Sequence, residues 1–133
     1  MKKRGIINAQ LAGLIAGLGH KDILMVADAG MPIPRGVEIV DLALCGGVPA
    51  FRQVLDAVLD ETEVEYYILA EEIVEKNLEL LSYVQEKLPG VQSEMLSHAE
   101  LKEMTKSIKF AVRTGEFTPY PNIILRAGVV FPA

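Results

Sequence analysis

The stretch at positions 113–122 reads Arg-Thr-Gly-Glu-Phe-Thr-Pro-Tyr-Pro-Asn, and apolar runs flank it at 108–112 and 123–125. Apolar runs of this kind are typical of strands that enter and leave a core, and a polar, proline-containing stretch between them indicates a loop. Its two prolines restrict the backbone around Tyr120 and favour extended geometry at Thr118 and Tyr120. The loop is therefore predicted to hold the phenol of Tyr120 and the amide of Asn122 in set positions. An ordinary rigid connector is the alternative interpretation.

The rest of the chain alternates apolar runs with helical patterns. Strands are predicted at 23–27, 37–44, 64–70 and 91–96, and helices at 9–18, 49–59, 73–88 and from Ser97 onward. Asn8 is the predicted N-cap of the first helix, and Ser97 with Glu100 matches a capping box. Strands that alternate with helices favour an α/β fold with a mainly parallel central sheet. We predict a single three-layer domain over residues 1–133, with helices on both faces of the sheet.

The composition indicates association between copies. Half of the 133 residues are hydrophobic, and the mean hydropathy is +0.28. A domain of this size has too much surface to bury that much apolar material alone. We therefore expect an oligomer in which subunit contacts cover part of it.

Charge and cysteine content exclude several classes of function. The net charge is −5, aromatic residues make up 6% of the chain, and no basic stripe is present, so nucleic-acid binding is not expected. The acidic clusters at 60–65 and 71–79 are interpreted as solvated surface. A single cysteine cannot form an intrachain disulfide, and no base neighbours Cys45 in the sequence. Cys45 is predicted to be a small buried or interfacial residue.

The N-terminal region resembles a signal peptide only superficially. Basic residues at 2–4 precede an apolar run, but Asn8 and Gln10 interrupt it. The uncharged stretch at 5–20 is also shorter than the ~20 apolar residues of a membrane span. We expect no membrane insertion and a cytoplasmic location.

The common motifs of cofactor and nucleophile chemistry are missing from the sequence. It contains no dinucleotide or phosphate fingerprint and no Gly-x-Ser-x-Gly elbow. With two histidines and one cysteine, a metal site of His20, His98 and a carboxylate is a minor alternative. We therefore expect neither a metal nor a cofactor.

Polar side chains instead lie at the predicted ends of helices and strands. His20 follows a helix stop, Asp28 ends an apolar strand, and His98 begins a helix that carries Lys102 one turn later. Ligands of open α/β sheets bind at the carboxyl edge, where Asp28 is expected. Each residue also has a structural interpretation: His20 can interact with a helix dipole, Asp28 can cap, and His98 can lie on the surface.

The chemistry of this set suits a neutral polyol. Imidazole gives and takes protons near neutral pH without a cofactor, and carboxylate, amide and phenol groups bind hydroxyls. The sequence offers no arginine clamp beyond Arg113 that would indicate a phosphorylated substrate.

Seven motifs follow one another along the chain: Asn8, Leu18–Asp22, Ala27–Pro34, Val48–Phe51, Ala70–Ile73, Leu96–His98 and Arg113–Tyr120. In this order, and across the whole length of the chain, they resemble the D-ribose pyranase family and, less closely, the related L-fucose mutarotases. The resemblance implies a cofactor-free isomerase that interconverts the pyranose and furanose forms of D-ribose, and a decamer of two stacked pentamers with the site near a subunit boundary.

The resemblance also implies roles for individual residues. His20 corresponds to the proton donor, and the sugar-binding positions correspond to Asp28, His98 and the segment Tyr120, Pro121 and Asn122, with Lys102 as a weaker candidate. Pro121 has no N–H to offer a ligand. We hypothesise that His20 protonates the ring oxygen, while Asp28 orients His20 or contacts a sugar hydroxyl. The alternatives are an L-fucose-type mutarotase and a non-catalytic sugar-binding protein associated with ribose uptake.

Overall fold

A computed structural model describes residues 1–132, and six strands in it form one sheet. The strands are β1 (Ile23–Ala27), β2 (Glu38–Asp41), β3 (Val64–Ala70), β4 (Gln92–Leu96), β5 (Phe110–Arg113) and β6 (Ile123–Ala127). Their order in the sheet is β2-β5-β1-β6-β3-β4. Five strands run parallel to one another, and β6 alone is antiparallel to its neighbours β1 and β3. The predicted mainly parallel sheet is confirmed.

Helices cover both faces of the sheet, as predicted, but unequally. Because side chains alternate along a strand, Leu24 and Val26 of β1 join the core beneath the first four helices, whereas Met25 and Ala27 face the fifth. The fold is therefore a three-layer α/β domain with one thick and one thin helical layer. The helices are α1 (Ala9–Ala16), α2 (Phe51–Glu61), α3 (Ile73–Lys76), α4 (Leu78–Lys87) and α5 (His98–Met104), and a 3-10 turn (Thr105–Ser107) follows α5.

Two predicted helix caps are confirmed. The Asn8 side chain accepts the N–H of Leu11 at 2.9 Å. Ser97 and Glu100 form the reciprocal capping box, with bonds of 3.0 and 3.1 Å. These bonds satisfy N–H groups that a helix start would otherwise leave unpaired. The second helix begins later than predicted. Its first residue is Phe51 and its N-cap is Ala50, so Pro49 precedes the helix instead of lying in its first turn.

The predicted continuous helix over 73–88 is wrong, because it breaks at Asn77. The backbone of Asn77 leaves the helical region at φ −154° and ψ 59°. Its side-chain amide donates instead to the Thr118 hydroxyl at 3.1 Å and to the Pro119 carbonyl at 3.0 Å. The helix is therefore interrupted where Asn77 bonds to the 113–122 loop. Asn side chains form hydrogen bonds in non-helical conformations, which compete with the helix.

Large apolar side chains stay exposed at both ends of the sheet. Leu44 and Phe117 are 80% and 77% exposed beside Cys45, which is also exposed. Val130 and Phe131 are exposed at the opposite end. Burial of Cys45 within one chain is therefore wrong, and the interfacial alternative stays a prediction. None of the helices within residues 1–132 is long and apolar enough to cross a bilayer.

Candidate functional site

A cavity of about 490 Å³ opens at the carboxyl edge of the parallel strands. The residues after β1 and β5 and the start of α5 contribute most of its wall. Because β6 runs in the opposite direction, its first residues, rather than its last, lie at this edge. The charged and titratable side chains of the wall are Asp28, His98, Lys102, Arg113 and Glu116.

Asp28 is held from behind by the buried Asn122. The Asn122 side-chain oxygen accepts the Asp28 N–H at 2.9 Å, and its amide nitrogen donates to Asp28 Oδ2 at 3.1 Å. The other carboxylate oxygen, Oδ1, accepts the Gly30 N–H at 3.0 Å. Asn122 is completely buried and lies outside the cavity wall. Its side chain therefore orients Asp28 and does not itself face the cavity.

His98 reaches the cavity from the first turn of α5. Its backbone N–H donates to both oxygens of Glu72, at 3.0 and 3.2 Å. Its ring meets the Tyr120 ring edge to face, with centroids 5.2 Å apart. The buried Nδ1 of His98 has no hydrogen-bond partner among residues 1–132. An unpaired buried polar atom is costly for the fold, and such exceptions are often found at functional sites.

The 113–122 loop is stiff, but for reasons beyond its prolines. Glu116 accepts the Phe51 N–H at 2.9 Å and the Thr118 hydroxyl at 2.8 Å. Burial raises the pKa of Glu116, yet these bonds outweigh it and hold the pKa below its ordinary value. A side chain on Gly115 would collide with the carbonyl oxygen of Val48, so only glycine allows the loop to pack this closely against the backbone at Val48.

The predicted extended geometry of Tyr120 is wrong. Tyr120 has φ +64°, in the left-handed region that non-glycine residues rarely adopt. The Asn122 N–H donates to the Tyr120 carbonyl at 2.9 Å and closes a tight turn. This turn directs the Tyr120 ring toward His98 and leaves Pro121 buried, away from the cavity wall.

The two cations of the cavity differ in their partners. Arg113 donates to both oxygens of Asp41 at 3.0 Å and to the Ala29 carbonyl at 3.0 Å, so its guanidinium is already engaged. Lys102 is exposed at the cavity rim. An engaged arginine favours a neutral ligand over a strongly anionic one.

His20 lies at the other end of the sheet. It precedes β1, whereas Asp28 follows it, and five strand residues at ~3.3 Å each separate them by roughly 17 Å. His20 Nε2 lies 2.6 Å from Glu65 Oε1, beside a separate cavity that also contains Val130 and Phe131. The structure thus groups Asp28, His98, Lys102 and Tyr120, and it leaves His20 apart from them.

That separation also removes the metal alternative within one chain, because His20 and His98 lie at opposite edges of the sheet. Among residues 1–132, no three His, Cys, Asp or Glu side chains are arranged to hold a metal ion.

Sequence reasoning missed three glutamates that position other groups. Glu65 and Glu72 belong to the acidic clusters interpreted as solvated surface, but they bond to His20 and to the His98 backbone. Glu116 was visible only as part of the loop. The available signal was an acid inside the apolar strand pattern at 64–70, where a solvated carboxylate is unexpected.

Comparison with known proteins shows which family the chain belongs to. The family model of the RbsD / FucU transport protein family matches residues 1–130. The chain belongs to this family. A D-ribose pyranase of Geobacillus kaustophilus is 49% identical over 131 residues, which cover 98% of this chain and 96% of that protein.

Two solved structures of other proteins share the fold. The structure of Bacillus subtilis RbsD complexed with D-ribose superimposes with a TM-score of 0.95 at 46% identity, covering 98% of this chain and 100% of the other. A fucose mutarotase of Streptococcus pneumoniae in complex with L-fucose has a TM-score of 0.79 at 23% identity, covering 94% and 95% of the two chains. The second likeness shows the common fold alone.

Proposed function

We propose that this protein is a cofactor-free isomerase that interconverts the pyranose and furanose forms of D-ribose. The observation that carries the proposal is the 0.95 TM-score against a relative with D-ribose bound, over the full length of that relative. Identity of 49% to a D-ribose pyranase supports the same reaction. The carboxyl-edge cavity, with the Asp28 carboxylate and the His98 imidazole in its wall, supplies hydrogen-bonding groups for a neutral sugar.

In this proposal, the sugar lies against Asp28 and His98. Asp28 is oriented by Asn122 and Gly30, so its carboxylate is pre-set to accept hydroxyl protons. The His98 ring lies in the wall of the same cavity. Tyr120 and Lys102 contribute at the edge of the cavity. Pre-set groups lower the ordering cost of binding.

The reaction opens and recloses a hemiacetal. A proton goes to the ring oxygen while the anomeric hydroxyl loses one, so the bond between C1 and the ring oxygen breaks and an aldehyde forms. Attack of the C4 hydroxyl on C1 then gives the furanose, with the two proton transfers reversed. We assign the proton donor to His20, which corresponds to the proton donor of the D-ribose pyranase family that the chain resembles, and whose imidazole is able to exchange protons near neutral pH.

His20 must come from a neighbouring copy, because roughly 17 Å of β1 separates it from Asp28 in one chain. Exposed apolar residues lie at both ends of the sheet. Phe117 and Leu44 lie at the end that carries Asp28, and Val130 and Phe131 lie at the end that carries His20. Contact between unlike ends of successive copies closes into a ring when the rotation permits. Stacked pentamers suit such a contact. The decamer and the cytoplasmic location stay predictions.

The test is exchange spectroscopy by NMR with D-ribose and L-fucose side by side. The protein is expected to accelerate exchange between the pyranose and furanose signals of ribose. Faster exchange of fucose than of ribose would instead assign a fucose-type mutarotase. Saturable ribose binding without acceleration would assign a sugar-binding protein, and either result would overturn the proposal.

Asn122 offers a separate prediction about binding. Asn122→Ala removes the two bonds between Asn122 and Asp28. It leaves the backbone N–H of Asp28 unpaired, which typically costs about 1–3 kcal/mol. We expect ribose affinity to fall about tenfold, which corresponds to 1.4 kcal/mol, together with a lower thermal midpoint. Calorimetric titration of the folded variant measures the affinity. Gln92→Ala, on the exposed strand β4, is the control; equal affinity for both variants would confine Asn122 to a role in folding.

A further inference from the structure

We infer that Glu65 is the positioning residue of His20: it holds Nε2 of the ring and leaves Nδ1 as the nitrogen that works on the sugar. The inference rests on the proposed function, in which His20 is the proton donor. Nothing in the sequence pattern assigns such a role to Glu65, which belongs to an acidic cluster.

Glu65 is fully engaged between two partners. Its Oε1 lies 2.6 Å from His20 Nε2, and its Oε2 accepts from Arg126 at 3.1 and 3.2 Å. Burial raises the pKa of the Glu65 carboxyl, but the bonds and charges of His20 and Arg126 outweigh it and hold the pKa below its ordinary value. An ionised carboxylate with both oxygens engaged is suited to orient a ring rather than to supply a proton itself.

A bulge in β3 aims Glu65 at His20. Val64 pairs with Ala127 of β6, and Tyr66 pairs with the next residue, Arg126, so Glu65 is an extra residue in the ladder. In a regular strand, Glu65 and Tyr66 would point to opposite faces. Here Arg126 contacts both, since it bonds to Glu65 and its guanidinium lies 4.6 Å from the Tyr66 ring centre. Bulges of this kind commonly redirect a side chain beside a functional site.

The backbone of His20 is fixed from the opposite side. The Gly19 N–H donates to Asp22 Oδ2 at 2.7 Å, and Lys109 donates to the same oxygen at 2.9 Å. These two bonds, with the Gly19 N–H the stronger influence, hold the pKa of Asp22 below its ordinary value. Lys21 has φ +73°, and its N–H donates to the Ala127 carbonyl at 2.8 Å. The hydrogen-bonded turn at residues 19–22 and the Glu65 carboxylate, which is held by Arg126, together restrict the orientation of the His20 ring.

This arrangement decides which nitrogen of His20 is free. Nε2 donates to the ionised Glu65, so the neutral ring carries its proton there and Nδ1 has a bare lone pair. When the ring is protonated, Nδ1–H becomes the donor that faces away from Glu65.

The test compares Glu65→Ala, Glu65→Gln and the control Glu63→Gln by two kinetic readouts. Glu63 is exposed, lies two residues away and makes no side-chain bond to His20 among residues 1–132. Glu65→Ala is expected to slow ribose exchange at saturating sugar about 10–100-fold with ribose affinity unchanged. Glu65→Gln retains an acceptor for Nε2, so a smaller loss is expected, and Glu63→Gln should match the unmodified protein.

Two further readouts separate positioning from a purely structural role. In a His20→Ala background, Glu65→Ala is expected to have no additional effect, because a residue that acts through His20 has nothing left to orient. ¹⁵N NMR of the neutral ring in the unmodified protein should show the proton on Nε2. A proton on Nδ1, full activity of Glu65→Ala, or additive losses in the double variant would each overturn the inference.

The proposed function and this inference fail in distinguishable ways. If the unmodified protein does not accelerate exchange, the proposed function fails, and the ¹⁵N experiment still tests the pairing. If the unmodified protein is active and His20→Ala is not, an active Glu65→Ala contradicts the inference alone.

Discussion

His20→Ala is expected to slow pyranose–furanose exchange of D-ribose by about 10²–10⁴-fold, the usual contribution of a positioned acid–base group. The variant should still fold and bind ribose, because the His20 side chain is 43% exposed and lies at the opposite end of β1 from the sugar cavity of its own chain. Exchange spectroscopy measures the rate, and a calorimetric titration measures the affinity.

A matched control for this variant is Lys21→Asn on the same turn. Lys21 has φ +73°, a region that Asn tolerates better than most residues, so the turn is expected to persist. Lys21→Asn should retain nearly full activity. An active His20→Ala would remove His20 from the mechanism, and equal loss in both variants would show that the turn, not the imidazole, is required.

Mixing two inactive variants is expected to restore activity. His20→Ala keeps an intact Asp28 half, and Asp28→Ala keeps an intact His20 half. If each site joins unlike ends of two copies, random mixing in a ring regenerates complete sites at about a quarter of the boundaries. The activity of the mixture should therefore rise from near zero to about a quarter of the unmodified level.

Unfolding and refolding the two variants together makes the mixed rings, and native mass spectrometry confirms their composition. Each variant refolded alone is the control and should stay inactive. Mixed rings that form but show no exchange would place His20 and Asp28 of a functional site in the same subunit, contrary to the roughly 17 Å that β1 puts between them.

Elements whose determinants are local could be predicted from the sequence. The strands at 23–27 and 64–70 and the caps at Asn8 and Ser97 depend on a few adjacent residues, and the structure has them as predicted. The position of Asp28 at the carboxyl edge followed from its place after a buried strand. The direction of β6 could not be predicted, since a fully buried strand has the same apolar pattern whichever way it runs.

The features that sequence reasoning missed depend on contacts distant in the chain. The helix breaks at Asn77 because its side chain bonds to Thr118 and Pro119, which lie 41 and 42 residues later in the chain. The Glu65 side chain bonds to His20 instead of extending into solvent, because a bulge in β3 directs it there. In both cases a polar side chain bonds to residues remote in the sequence, so the local pattern of neighbouring residues does not reveal the contact.

The break at Asn77 has a consequence for anyone who engineers this protein for heat resistance. A substitution by alanine joins two helices into one and would satisfy every rule used to choose stabilising changes, because Asn disfavours a helix interior. It would also cut the two bonds that anchor Thr118 and Pro119 at the sugar cavity. Stability-guided redesign should leave Asn77 unchanged. Helix preference favours alanine at this position, whereas the bonds to the loop require asparagine.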